Sequence, residues 1–255
     1  MIRAIFFDID GTLLRSDTHQ VEPGTIEAFH ALRRKGILTF IATGRPLPLI
    51  PAMPIRFDGY VTVNGGYCFM GDEVMADVPL TQRDIDGWID YVERNDLTTL
   101  QFGSHEMHLN RLTDDIRRIQ AQIGFAMPPL LPTAQMRQRP AYQFIAIIPP
   151  EKDAEVLALL PHCRLPRWHP AFSDLIPATS SKAEGIARIA ARLGLAREEL
   201  MAFGDGGNDI EMLEMAGMGV AMGNAQDEVK THADYVTRSC DEEGIGHALH
   251  ALHVI

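Results

Sequence analysis

Short apolar runs alternate with longer amphipathic stretches at both ends of the chain. Ile2 to Phe7 reads as a buried strand that stops at Asp8-Ile9-Asp10-Gly11-Thr12. Pro23 opens a helix with Ile26, Phe29 and Leu32 on one face, and Gly36 ends it. A second strand, Ile37 to Ala42, leads into Thr43-Gly44-Arg45, and a third, Tyr60 to Val63, leads into Asn64-Gly65-Gly66. The far end repeats this style. A helix from Ser181 to Leu193 precedes a strand from Leu200 to Phe203, which ends in Gly204-Asp205-Gly206-Gly207-Asn208-Asp209. A helix (Ile210 to Ala216), a strand (Gly219 to Met222), a helix (Asp227 to His232), a short strand (Tyr235 to Thr237) and a last helix from Glu243 follow. Strands that alternate with helices and exit into polar loops predict a parallel, doubly wound α/β sheet.

The middle of the chain breaks the alternation. Helices are predicted over Arg83 to Arg94, Asp114 to Ile123 and Asp153 to Leu160. Strands are predicted over Thr99 to Phe102, Met107 to Leu109, Tyr142 to Ile148, Arg164 to Trp168 and Ser173 to Ile176. Several of these strands follow one another with no helix between them, which predicts an inserted α+β unit with an antiparallel sheet. The expected division is a core of residues 1–80 and 181–255, with residues 81–180 as the insert.

Composition narrows the class. The chain has 255 residues, 46% hydrophobic and 22% charged, which suits a globular protein with a substantial core. The formal net charge of -11 disfavours nucleic acid and anionic membrane surfaces as partners. The apolar runs are strand-sized, and the apolar start stops at Asp8 without a small-residue cleavage site, so neither a membrane span nor a signal peptide is expected. Cys68, Cys163 and Cys240 are scattered and read as reduced thiols of a cytoplasmic protein. The oligomeric state is open and compatible with a monomer.

Four segments fall at strand exits or a helix start: Asp8-x-Asp10-Gly11-Thr12, Thr43-Gly44-Arg45, Lys182, and Gly204-Asp205-Gly206-Gly207-Asn208-Asp209. Ligands of open parallel sheets bind beyond the carboxyl ends of the strands. Cleavage of a phosphate ester needs positive charge against the dianion, an in-line nucleophile and a proton for the leaving alcohol. A carboxylate can attack to form an aspartyl phosphate. Asp8 and Asp205 could bind Mg²⁺, which favours oxygen ligands, and Asp10 could act as acid and then base. The Thr43 hydroxyl, the Lys182 ammonium and loop N–H groups suit phosphate oxygens. Taken singly, Asp-Gly is a turn signal and the glycine-rich loop with Asn208-Asp209 a helix cap; the four segments in order favour catalysis. His105 and His108, like His250 and His253, have no third ligand nearby in sequence and read as surface or half-buried residues.

These four segments resemble the motifs of the haloacid dehalogenase superfamily. Residues 81–180 look like its class IIB cap, as in the Cof-type hydrolases. The runs Phe-Phe-Asp-Ile-Asp-Gly-Thr-Leu, Phe-Ile-Ala-Thr-Gly-Arg-Pro and Phe-Gly-Asp-Gly-Gly-Asn-Asp-Ile resemble bacterial hexose-phosphate phosphatases of that class, and so does Arg167-Trp168-His169-Pro170-Ala171-Phe172. The resemblance implies Asp8 as nucleophile and Mg²⁺ ligand. It implies Asp10 as acid/base that also gives its backbone carbonyl to the metal, and Asp205 as the third protein ligand. Thr43, Gly44, Lys182, Asn208 and the Ile9 amide would hold phosphate, with Asp209 behind the metal's waters. Asn64, Gly65, Arg45, Trp168, His169 and Asp174 are candidate substrate contacts. The implied reaction is Mg²⁺-dependent hydrolysis of a small phosphorylated metabolite, with hexose phosphates foremost. A phosphatase for pyridoxal phosphate or FMN, a phosphomutase and a non-catalytic sugar-phosphate sensor are the alternatives; Asp10 alone does not separate phosphatase from mutase, and the presence of both Asp8 and Asp10 counts against a sensor.

Overall fold

The computed structural model describes residues 1–167 and 169–255. In chain order the elements are β1 (Ala4–Phe7), α1 (Pro23–Arg34), β2 (Leu38–Ala42), β3 (Gly59–Thr62), β4 (Tyr67–Met70) and β5 (Glu73–Asp77). Then come α2 (Gln82–Arg94), β6 (Thr99–Phe102), β7 (Met107–Leu109), α3 (Asp114–Ile123), α4 (Thr133–Met136), β8 (Gln143–Ala146), α5 (Asp153–Leu159), β9 (Cys163–Arg164) and β10 (Ser173–Pro177). The chain returns with α6 (Lys182–Leu193), β11 (Leu200–Gly204), α7 (Ile210–Met215), β12 (Met218–Ala221), α8 (Asp227–Thr231), β13 (Tyr235–Val236) and α9 (Gly244–Ala251).

Two compact units result, one of residues 1–44, 51–76 and 181–255, the other of residues 45–50 and 77–180. The first is built on a sheet ordered β13-β12-β11-β1-β2-β3-β4-β5. From β13 to β3 every pairing is parallel, and β4 runs antiparallel to β3. Strands covered on both faces need apolar side chains on both, which is why β1 reads Ala-Ile-Phe-Phe with all four residues buried. Ala4 and Phe6 pack with Ile186 and Ile189 of α6 and Leu213 of α7. Phe7 points the other way, its ring 4.8 Å from Phe29 of α1 and 5.1 Å from Phe203. Helices therefore line both faces, the doubly wound arrangement.

The strand order places β1 beside β11. From β1 the chain winds outward through β2 and β3; from β11 it winds the opposite way through β12 and β13. Such a reversal, here at the carboxyl ends of β1 and β11, is where open α/β sheets bind their ligands. Phe7 pairs in register with Phe203, so Asp8 and the Gly204-Asp205 loop leave the sheet at the same level.

The second unit carries a five-stranded sheet, β7-β6-β8-β10-β9, antiparallel throughout. Ile85, Trp88, Ile89 and Val92 of α2 and Val156 of α5 pack against Phe144, Ala146 and Leu175 on one face. Trp88 is wholly buried and gives its indole N–H to Thr99 Oγ1 at 3.1 Å.

Four details differ from the sequence expectation. Residues 45–50 and 77–80 group with the inserted unit, not the core. The hairpin β4–β5 extends the core sheet where no strand is predicted. Helix α4 adds a single turn after Pro132. The strand expected over Arg164 to Trp168 shrinks to Cys163–Arg164, since Pro166 has no N–H for a ladder, and Trp168 lies outside the described residues.

Candidate active site

Asp8 extends β1 by one ladder bond, its N–H reaching Phe203 O at 3.0 Å. The chain then turns sharply. Ile9 is buried, and its carbonyl accepts from the Leu13 and Leu14 N–H groups, each at 3.0 Å. Gly11 adopts φ +77°, and a Cβ there would lie 2.2 Å from Asp205 Oδ2. Glycine at this point satisfies both the backbone conformation and the close approach of the Asp205 carboxylate. Thr12, buried, donates its hydroxyl to Asp205 Oδ1 at 3.2 Å.

Lys182 is the first residue of α6. The Ser181 hydroxyl caps that helix by accepting from the Glu184 N–H at 3.1 Å. The Lys182 side chain is 1% exposed, and Nζ donates to Asp8 Oδ1 at 2.5 Å and to Asp209 Oδ1 at 2.6 Å. Asp209, fully buried, accepts on its other oxygen from the N–H groups of Asp205 (3.0 Å) and Gly206 (2.9 Å). Asp209 thus ties the loop after β11 to the lysine and has both oxygens engaged.

The charges are crowded. Burial pushes the Asp8 carboxyl well up, and Lys182 only partly offsets it. Burial would lower the lysine, but Asp209 and Asp8 outweigh it and hold the ammonium charged. Asp205 is pushed up to about 6, first by burial and then by Asp209, against the Thr12 hydrogen bond. Carboxylate oxygens of Asp8, Asp205 and Asp209 lie within 4.8 Å of one another, the one such cluster of possible metal ligands among the described residues. Three carboxylates against one ammonium invite a divalent cation. Asp209 is wholly buried and held by an ammonium and two backbone N–H groups at 2.6–3.0 Å, whereas Asp8 has one oxygen on Lys182 and the half-buried Asp205 meets only two longer side-chain donors, at 3.2 and 3.3 Å; those two carboxylates keep ligand capacity, and hard oxygen donors suit Mg²⁺ or a similar ion.

The loops after β2 and β3 sit beside the start of α6. Thr43, buried, accepts from the Asn64 N–H at 3.1 Å. Val63, Asn64 and Gly65 have φ of 45°, 52° and 81°; for a β-branched valine that is an outlier. A Cβ on Gly44 would lie 3.1 Å from Asn64 Nδ2, and one on Gly65 would lie 2.1 Å from Ser181 O. The turn at 63–65 therefore packs against the residue that precedes Lys182. Asn208 is exposed on the helical turn at 207–209.

The structure thus gathers Asp8, Lys182, Asp205 and Asp209 into one corner, with Thr43, Gly44, Asn64 and Gly65 linked to it through the start of α6. Asp10 is exposed beyond the bend at Ile9, bridged to Leu14, and its carboxylate is not in the acidic cluster. The other candidates belong to the second unit. Arg45 donates to Leu49 O at 2.8 Å. His169 stacks on Phe172 with ring centroids 4.7 Å apart, and Asp174 is buried in β10. Cys68, Cys163 and Cys240 are free and buried. Among the described residues no helix is long and apolar enough to cross a membrane.

Two residues of this corner carry no assigned role in the sequence reading. Thr12 is one. The other is Asn224, at the exit of β12, whose Nδ2 donates to Gly11 O at 2.8 Å and Asp205 Oδ2 at 3.3 Å while its Oδ1 accepts from the Cys240 N–H at 2.9 Å. A Gly-Asn pair at the exit of another parallel strand was the available signal.

Known proteins share this architecture. A family model of haloacid dehalogenase-like hydrolases matches residues 5–249. YkrA of Bacillus subtilis strain 168 is 31% identical, over 99% of this chain and 98% of its own. The subclass IIB sugar phosphatase BT4131 superposes with a TM-score of 0.89 at 36% identity, over 99% of this chain and 100% of the other. BT1666 of Bacteroides thetaiotaomicron, a phosphatase of the same superfamily, gives 0.91 at 35% identity, over 100% of this chain and 96% of the other. The acidic strand exit at Asp8, the buried lysine and these likenesses lead to one assignment: the chain belongs to the haloacid dehalogenase-like hydrolases and is a phosphatase of the Cof type.

Proposed function

We propose that this phosphatase hydrolyses phosphate monoesters of small metabolites, hexose phosphates foremost, through an aspartyl phosphate on Asp8 with Mg²⁺ as cofactor. The observation that carries the reading is the Lys182 ammonium, buried between Asp8 and Asp209 beside Asp205 at the reversal point of the sheet.

Asp8 and Asp205, with the Asp10 carbonyl, are the proposed Mg²⁺ ligands. When bound, the ion supplies positive charge that offsets the phosphate dianion and the paired carboxylates. Lys182 holds Asp8 Oδ1, which fixes the rotation of the nucleophile and keeps a cation beside the phosphoryl group. An Asp8 oxygen attacks phosphorus, the bond from phosphorus to the ester oxygen breaks, and Asp10 gives its proton to the departing alcohol. Asp10, now a carboxylate, takes a proton from water. That water attacks phosphorus, the bond to Asp8 breaks, and inorganic phosphate leaves. The exposed position of Asp10 suits a group that must meet both an alcohol and a water. Thr43, Gly44, Asn208 and the Ile9 amide are proposed to hold phosphoryl oxygens, with Asp209 positioning Lys182 and the 205–206 loop.

The sugar-phosphate preference is supported by the likeness to BT4131, and residues 77–180, with His169 and Asp174, are the proposed source of selectivity. Fold alone does not set a substrate. The three scattered, free and buried thiols of Cys68, Cys163 and Cys240 support a cytoplasmic site of action. The test is phosphate release with and without Mg²⁺ over a panel of sugar, nucleotide and cofactor phosphates, with Asp8→Asn as control. Mg²⁺-dependent release strongest on hexose phosphates supports the reading. Tight binding of a sugar phosphate with no release from any ester would replace it with a sensor.

A further inference from the structure

Asn224 lies on an exposed loop after β12, yet its side-chain amide joins three other loops. Nδ2 spans Gly11 O at 2.8 Å and Asp205 Oδ2 at 3.3 Å; Oδ1 accepts from the Cys240 N–H at 2.9 Å. An exposed asparagine committed to one arrangement loses side-chain freedom, so the arrangement needs a return elsewhere. Two features locate it. Gly11, with φ +77° and no side chain, has a backbone free to reorient, and its carbonyl is the group that Asn224 grips. Asp205 sits so close to Gly11 that a Cβ there would touch its carboxylate, so the position of one depends on the other. Thr12 holds Oδ1 of that carboxylate and Asn224 holds Oδ2, one donor on each oxygen.

We infer that Asn224 is a positioning residue for the metal corner: it locks the Asp205 carboxylate and the Gly11 peptide in one orientation, so that Asp205 meets the cation prealigned. The inference rests on the reading of Asp8 and Asp205 as Mg²⁺ ligands. Groups that orient metal-binding side chains typically govern affinity by roughly ten- to a hundredfold. Asn224 is bound by its Oδ1 to the Cys240 backbone, and that anchor aims Nδ2 at both acceptors at once. In this role Asn224 acts through Asp205 and Gly11, the groups its amide holds.

The test is calorimetric titration of Mg²⁺ into wild type, Asn224→Ala and Thr12→Val, each stripped with EDTA and freed of chelator, with melting curves in EDTA alongside. Titration reads the cation directly and needs no turnover. Asn224→Ala is expected to weaken Mg²⁺ by about tenfold or more while the metal-free melting temperature moves little. Thr12→Val, nearly isosteric, is expected to weaken it too and stands in for the first variant should that one fail to fold. Affinity within twofold of wild type in Asn224→Ala overturns the inference, as does the same affinity in Thr12→Val if only that variant folds. A wild type that takes up no Mg²⁺ overturns the metal reading and the inference with it, whereas a wild type that binds Mg²⁺ beside unaffected variants overturns the inference alone.

Discussion

Lys182→Met removes the one cation from the acidic corner while keeping a side chain of similar length. The ammonium sits 2.5 Å from Asp8 and 2.6 Å from Asp209, and both acidic residues are buried. Removal leaves two buried carboxylates facing one another. Asp209 keeps its two backbone N–H donors, whereas Asp8 loses the one group that lowers its pKa through both charge and a hydrogen bond. Breaking a buried ion pair by deleting one partner costs about 3–5 kcal/mol. The methionine methylenes replace those of lysine, so little of that is a cavity. The sign of the pH dependence follows from Asp8. Its carboxyl is already raised and rises further without Lys182, so the folded variant takes up a proton as pH falls and the deficit shrinks. Urea unfolding in EDTA should show the variant about 3–5 kcal/mol less stable at pH 8 and closer to wild type at pH 5. A loss below about 1 kcal/mol at pH 8, or a deficit that grows on acidification, would refute the reasoning. Turnover should also fall by at least roughly a hundredfold, as when one transition-state donor is removed.

Three more outcomes are expected. Asp10→Asn should slow turnover by roughly a hundred- to ten-thousandfold with an unchanged melting temperature, since Asp10 is exposed; turnover at the wild-type rate removes it from the mechanism. Asp205 is pushed up to about 6 when folded, above the ordinary 3.8, so in the metal-free protein its stabilising contribution is full below pH 4 and lost as pH rises through 6. Asp205→Asn should therefore be more stable to urea unfolding than wild type in EDTA at pH 7, by at most about 3 kcal/mol, with the difference vanishing toward pH 4; a gap of the opposite sign contradicts the account. Gly11→Ala places a methyl 2.2 Å from Asp205 Oδ2 in a left-handed residue and should weaken Mg²⁺ binding more than it lowers the melting temperature, as calorimetry and thermal melts together would show.

Much of the catalytic half was legible because its strands are buried on both faces and read as unbroken apolar runs. The candidate site residues sit at their exits, where β1, β2 and β11 each stop at a polar motif. The hairpin β4–β5 was not legible. Tyr67–Met70 is four residues long with mixed burial, and Glu73–Asp77 carries three exposed residues, so neither shows a clear period. Pro166 between the expected ends of β9 was a breaker that the apolar flanks concealed. The acid cluster was read nearly whole, but Asp209 ranks with Asp8 and Asp205 in proximity, which its helix-cap position in sequence does not convey. Asn224 escaped because its contacts exist only where four separate loops meet; the Gly223-Asn224 pair at the exit of β12 marks the place along the chain but not those partners.

The central claim is a phosphoryl group carried on Asp8. Asp10→Asn, mixed with Mg²⁺ and 4-nitrophenyl phosphate, bypasses the acid step because the phenolate leaves unaided, while the slow water step lets the intermediate accumulate. Acid quench and peptide mass mapping should place one phosphoryl group on the peptide that contains Asp8, and none on the Asp8→Asn protein. Release of nitrophenolate with no phosphorylated peptide at any quench time would contradict the account.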